Sequence, residues 1–132
     1  MAFAGKWVLS NSENLDAVFD ALGVPAAARE KAGVKSTVEM SKNGDVFNIK
    51  VSGEKKSVDQ TFKLDEPFTE TYGLHGQTRE AVATNEGGKL VIKGTGSGKI
   101  DQLVETREVS GNQMIVTLTV GGVSAKRFYD RA

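Results

Sequence analysis

The sequence contains no cysteine. Disulfides, thiolate-bound metals and a cysteine nucleophile are therefore excluded, and the absence fits a reducing compartment. Histidine occurs once, at His75, and proline twice, at Pro25 and Pro67. One histidine without partners makes neither a metal site nor a catalytic triad. An excess of either charge is also lacking: Lys plus Arg and Asp plus Glu both number 17, so the formal net charge is zero. Nothing here draws the chain to nucleic acid, whose binding depends on basic charge. No block of like charges marks a polyelectrolyte tail. No apolar run approaches the ~20 residues that cross a bilayer, and "MAFAGKWVLS" lacks the basic start and apolar stretch of a signal peptide. The expectation is a cytoplasmic monomer of one domain, residues 1–132, with the nucleus as a second location.

What is abundant is glycine, at 15 residues. Many glycines with few prolines suit a chain of tight turns. "GKWVLSNS" reads as a first strand closing in polar turn residues. "SENLDAVFDALG" reads as a helix, with Ser12 or Asn14 as cap, Leu15, Val18, Phe19 and Leu22 on one face, and Gly23 as its stop. "VPAAAREKAG" reads as a second short helix, from Pro25 to Gly33. Helices this short are marginal alone, so the pair must lean on something else.

After Lys35 the pattern turns to period two. "STVEMSK" and "DVFNIKVS" flank Asn43-Gly44, a hairpin signal, and "SVDQTFKL" follows. Pro67 interrupts the ladder, since proline cannot donate its hydrogen bond. "FTETYGL", "TREAVAT", "KLVIKG", "KIDQLVETREV", "QMIVTLTV" and "VSAKRFYD" complete the series, with glycine-containing joints between them. Antiparallel strands at this spacing predict an all-β up-and-down barrel or a sandwich, with the helical hairpin capping an open end.

The last strand raises the functional question. One of its faces carries Val123, Ala125, Arg127 and Tyr129. The face that begins apolar ends in a guanidinium and a phenol. In "KIDQLVETREV", Leu103, Glu105, Arg107 and Val109 share a face, so a second arginine can point inward two strands away. Arginine cannot neutralise itself, and a buried one is costly without a partner. Glu105 can pair with one of the two; Tyr129 offers only a hydroxyl. The wall then lacks an anion, which a ligand carboxylate would supply, gripped bidentately by arginine and hydrogen-bonded by the tyrosine. An outward, solvated Arg107 and an ordinary ion pair for Arg127 are the structural alternatives.

Other signals carry less. "GTGSG" looks like a phosphate-cradling loop, but that loop needs a helix N-terminus after it, and "KIDQLVETREV" follows instead. No spacing specifies a carboxylate pair for glycosidase chemistry. No activated nucleophile or acid–base pair is evident, and no cofactor motif. The sequence reads as a binding protein rather than an enzyme.

From end to end the chain resembles the intracellular lipid-binding proteins, the cytosolic fatty-acid-binding family, in its heart, adipocyte and myelin-type subgroup. "FAGKW" with "ENLDAVFDALGV", "AAAREKAG", "NGDVFNIKV", "QTFKLDEPFTET", "GGKLV" and "TREVSGNQMIVTLTVGGVSAKRFYDRA" carry the likeness in order. The resemblance implies a ten-stranded antiparallel up-and-down barrel, a clam of two five-stranded sheets, with a helix-turn-helix lid between the first and second strands and a water-containing cavity beneath it. It implies a carrier that binds and transports long-chain fatty acids, with their carboxylate held by Arg107, Arg127 and Tyr129. Retinoic acid or another anionic hydrophobic ligand is the alternative. Leu15, Val18, Phe19, Val24, Val116 and Leu118 are the candidates for cavity lining and portal; for Leu15 and Phe19, packing of lid on barrel is an equal reading. Arg29 and Lys31 on the second helix suggest transient membrane contact, beside the plainer reading of a solvated face. The chain departs from the family where Leu15 replaces a usual aromatic, where Ser36 replaces a common proline, where Lys55 replaces a portal phenylalanine, and where "YGLHGQTRE" lengthens a turn. These departures bear on selectivity and ligand entry.

Overall fold

The computed structural model describes residues 3–23, 37–52, 57–72, 77–98 and 100–132. The expected second helix, with Val24, Arg29 and Lys31, and the turns at 53–56 and 73–76 lie outside the described residues.

The period-two segments form ten strands. They are β1 (Gly5–Glu13), β2 (Thr37–Asn43), β3 (Val46–Ser52), β4 (Ser57–Lys63), β5 (Phe68–Tyr72), β6 (Gln77–Glu86), β7 (Lys89–Gly94), β8 (Val104–Ser110), β9 (Gln113–Val120) and β10 (Val123–Arg131). Each is antiparallel to its neighbours, in the order β4-β3-β2-β1-β10-β9-β8-β7-β6-β5. The up-and-down meander closes because β1 pairs with both β2 and β10. The barrel is thus nearly complete, as the sequence predicts.

The one seam without a ladder lies between β4 and β5. Pro67, which has no N–H to give, stands at its mouth. Side chains bridge it: Gln60 Nε2 donates to the Thr69 carbonyl at 2.7 Å. Phe62 stacks on Phe68 with ring centroids 4.9 Å apart and on Phe47 at 5.4 Å, a favourable aromatic arrangement.

Turn chemistry follows the glycines. Gly87 and Gly88 both take positive φ in the two-residue turn between Glu86 and Lys89, the conformation that suits a right-twisted hairpin. The β2–β3 turn falls one residue later than the Asn-Gly pair suggests: Asn43 stays in the ladder opposite Val46, and the turn is Gly44-Asp45.

The expected helix is α1 (Leu15–Leu22), which ends at Gly23 in a left-handed cap. Val18, Phe19 and Leu22 are buried and Leu15 is half-buried against the same core, and the helix packs on β9 and β10. Asn14 stands at the N-terminal boundary without capping it by its side chain. Its amide instead donates to the Ser124 carbonyl at 2.7 Å, tying the helix to the start of β10. Asparagine tolerates the left-handed backbone, φ 61°, that this requires.

"KIDQLVETREV" is not a single strand. Ile100–Gln102 form a 3-10 turn, and β8 begins at Val104. The preceding "GTGSG" fits this turn rather than a phosphate. Gly98 N–H donates to Asp101 Oδ2 at 3.0 Å, so a carboxylate already occupies the loop. At Gly94 a Cβ would stand 2.6 Å from the Asp101 Cα, so only glycine admits the approach.

The core is lined by alternate strand residues. Trp7, Val18, Leu90, Ile92, Leu103 and Met114 are almost wholly shielded from solvent. The "FAGKW" segment closes one end: Trp7 Nε1 donates to the Phe3 carbonyl at 3.0 Å, and the Arg131 guanidinium lies over the indole at 4.1 Å.

Candidate ligand-binding wall

The register of β8, β9 and β10 assembles the expected site. Arg107 is opposite Val116, and Val116 is opposite Arg127. The two arginines therefore flank one valine in a single row across three strands. Their Cα atoms are about 10 Å apart, twice the strand spacing, a gap that two inward-reaching arginine side chains can bridge. Tyr129 lies in the next row, opposite Met114. Leu118 and Glu105 face each other in the row on the other side. Every residue in these rows belongs to the inner face, because β9 alternates with Met114, Val116, Leu118 and Val120 buried.

Arg107 is buried, so the inward reading of its strand holds and the outward alternative fails. Its Nη2 donates to Glu105 Oε1 at 2.7 Å, the pairing that the shared face suggests. Its Nε and Nη1 are buried and find no hydrogen-bond partner among the described residues. Burial works against its charge, but Glu105, Tyr129 and Glu70 outweigh burial and hold the guanidinium protonated above its usual range. Arg127 is half-buried, with its guanidinium carbon 5.8 Å from the Tyr129 ring centroid. Tyr129 is buried. Val116 and Leu118 are buried beside them, and Val18 and Phe19 come down on β9 and β10 from α1. Phe19 belongs to the core cluster together with Val116 and Leu118, and Leu15 packs against it.

Reading the strands one at a time missed a second ion pair. Glu70 on β5 and Arg79 on β6 stand directly opposite each other and are both buried. Arg79 Nε meets Glu70 Oε1 at 2.6 Å, and its Nη1 donates to the carbonyls of Ile100 (2.8 Å) and Leu103 (2.6 Å). The Ile100 carbonyl also accepts from the Leu103 N–H at 3.4 Å, so the 3-10 turn and Arg79 share it. A signal was present: Arg79 shares its face with Ala81 and Ala83, and Glu70 with Phe68. Burial first, and then the charge of Glu105, push the Glu70 carboxyl up to about 7 against the opposing pull of Arg79.

The inner wall among the described residues thus carries three guanidiniums, at Arg79, Arg107 and Arg127, and two carboxylates, at Glu70 and Glu105. No group of histidine, cysteine and acidic residues among them is arranged to hold a metal ion, and no described helix is long and apolar enough to cross a membrane. A cleft of about 410 Å³ lies away from this wall, between the β2–β3 turn and the end of β4, lined by Lys42, Asp45, Phe47, Lys63, Leu64 and Glu66.

Residues 1–132 match the lipocalin / cytosolic fatty-acid binding protein family. The intestinal fatty acid-binding protein of Mus musculus is 34% identical over 134 residues, spanning 99% of both chains. The adipocyte fatty acid-binding protein of Pygoscelis papua is 33% identical over 131 residues, spanning 98% of this chain and 97% of its own. Among solved structures, the Schistosoma mansoni fatty acid binding protein in complex with arachidonic acid superposes with a TM-score of 0.90 at 36% identity, covering 99% of this chain and 96% of its own.

Proposed function

The chain belongs to the lipocalin / cytosolic fatty-acid binding protein family, and from that premise we propose that it binds long-chain fatty acids inside the barrel and carries them through the cytoplasm as a monomer, without chemistry on the ligand. The observation that carries this reading is the row Arg107–Val116–Arg127 with Tyr129 beside it, on the inner face of an apolar barrel. Arg127 and Tyr129 hold the head group, and Arg107 reaches it directly or through ordered water. The acyl tail adds ~25 cal/mol per Å² of apolar surface removed from water against side chains such as Val116 and Leu118.

The relatives named as fatty acid-binding proteins support this ligand class, as does the solved relative holding arachidonic acid. The test is calorimetric titration of the delipidated protein with oleate, on wild type and on Arg127→Ala. One-to-one binding that weakens sharply in the variant is the expected result. Oleate binding untouched by Arg127→Ala would make the inward arginine structural. Tighter binding of retinoic acid than of oleate would change the ligand within the same site.

A further inference from the structure

Two facts about Arg107 stand in tension. Its Nη2 is held by Glu105 at 2.7 Å, while Nε and Nη1 are buried with no hydrogen-bond partner among the described residues. A guanidinium offers a carboxylate two bidentate edges, Nε with Nη2 and Nη1 with Nη2, and both include Nη2. Any bidentate ligand at Arg107 must therefore use Nη2, one of whose two N–H groups Glu105 already engages, and sit beside the Glu105 carboxylate. Glu105 reaches it from the same strand and the same face, two residues away. The groups around this pair are all on the inner wall: Glu70 on β5, Arg79 on β6, Arg127 and Tyr129 on β10, with apolar Ile92 and Leu118 opposite Glu105 on β7 and β9.

We propose that Glu105 is a built-in counterion that competes with the ligand carboxylate for Arg107, and so sets how strongly this barrel prefers acids over neutral lipids. The inference rests on the fatty-acid reading of the site. Glu105 balances part of the Arg107 charge. When a fatty acid arrives, its carboxylate meets a partly engaged cation and a like charge beside it. Affinity for acids is held down and release is made easier, while an alcohol of the same chain length, which carries no charge, is not penalised. Glu105 is a specificity-determining residue that acts through Arg107.

The test is Glu105→Gln, which keeps the shape and removes the charge. Oleate and oleyl alcohol are titrated into the delipidated wild type and variant. The expected result is oleate binding about tenfold tighter in the variant, the order set by one charge-assisted hydrogen bond, with oleyl alcohol affinity unchanged. A merely structural role moves both ligands together or neither, and either result overturns the inference while leaving the carrier reading intact. Failure of both proteins to bind oleate overturns the carrier reading itself, and this inference with it. Should the variant not fold, wild type labelled at the glutamate side-chain carboxyl carbons decides by NMR: the Glu105 resonance shifts on addition of oleate and not of oleyl alcohol. A Glu105 signal indifferent to oleate overturns the proposal.

Discussion

Arg79 and Arg107 are both buried on the inner wall, each within 2.7 Å of a glutamate, and they differ in what else holds them. Arg79 is held from three directions: Glu70 takes Nε, and the backbone carbonyls of Ile100 and Leu103 take Nη1. Its contacts staple β5 and β6 to the turn that leads into β8. Arg107 has one neighbour from its own strand, and two of its nitrogens are buried without a hydrogen bond among the described residues. Arg79 also keeps one buried nitrogen, Nη2, without a hydrogen bond among the described residues, so the two differ in degree: two backbone carbonyls and a glutamate hold Arg79, and one glutamate of its own strand holds Arg107. Folding can tolerate such nitrogens only where another gain offsets the missing hydrogen bonds.

Removing each arginine separates the two roles. Arg79→Ala strands Glu70 in the interior and takes the side-chain donor from the Ile100 and Leu103 carbonyls, and breaking a buried pair in this way costs about 3–5 kcal/mol. Urea unfolding of the variant reads that loss directly. A cost within about 1 kcal/mol, the net worth of an ordinary hydrogen bond, would mean that the staple is not structural. Arg107→Gln has the smaller effect on stability and the larger one on function. Oleate affinity is expected to fall about ten- to hundredfold, the range of one or two charge-assisted hydrogen bonds. An Arg107→Gln protein that unfolds like Arg79→Ala yet binds oleate normally would erase the distinction.

The same contrast explains what could be read from the sequence. Arg127 and Tyr129 are legible as sharing the apolar face of their strand, and two-residue glycine turns fix the register of β8, β9 and β10, where Ser110 faces Gln113 and Val120 faces Val123; the side taken by Arg107 stays open from its own strand, and the three residues come together as a site only through the family likeness. Once register is fixed, same-face residues two strands apart must share a wall. Glu70 and Arg79 were not legible as a pair, because the longer segment "YGLHGQ" between them leaves the register of β5 against β6 undetermined. The 3-10 turn was hidden for a related reason. Nothing local in "KIDQLVETREV" marks Ile100–Gln102 as a turn, while in the structure the carbonyls of Ile100 and Leu103 accept from Arg79 on β6, a tertiary contact that a local pattern does not announce.

Glu70 gives the comparison a pH axis. Its carboxyl is pushed from the ordinary 4.5 to about 7, by burial first and then by Glu105, with Arg79 pulling the other way. A carboxyl that holds its proton more tightly when folded favours the fold while protonated. That contribution is complete below about pH 4.5 and is lost as pH rises through about 7. Glu70→Gln mimics the protonated form at every pH. The unfolding free energy of wild type relative to Glu70→Gln should therefore decline steadily between pH 4.5 and 7. Taking the difference removes the titration of the other carboxyls, which run in the opposite sense when paired. A flat difference would show that Arg79 keeps Glu70 ionised throughout, and that the staple is a full ion pair.

The smallest expected effect lies on the outside of β7 and β8. Lys89 on β7 and Glu108 on β8 form an ion pair at 3.1 Å, with their side chains 52% and 36% exposed. Glu108 is the next residue after Arg107, and alternation alone sends it to the other face. Water there solvates both charges before and after they meet, and holding two long side chains together costs entropy. Lys89→Ala should accordingly change stability by no more than about 0.5 kcal/mol, and less still in high salt. Oleate affinity should not move at all, because the sheet lies between this pair and the inner wall. One peptide unit thus separates a charge whose loss is barely measurable from one whose loss changes ligand binding manyfold, and the difference comes from the solvent on each side of the strand rather than from the strength of either ion pair. A Lys89→Ala variant that lost affinity for oleate would require β7 and β8 to transmit strain through the barrel wall, and the inner site could then no longer be treated as separate from its scaffold.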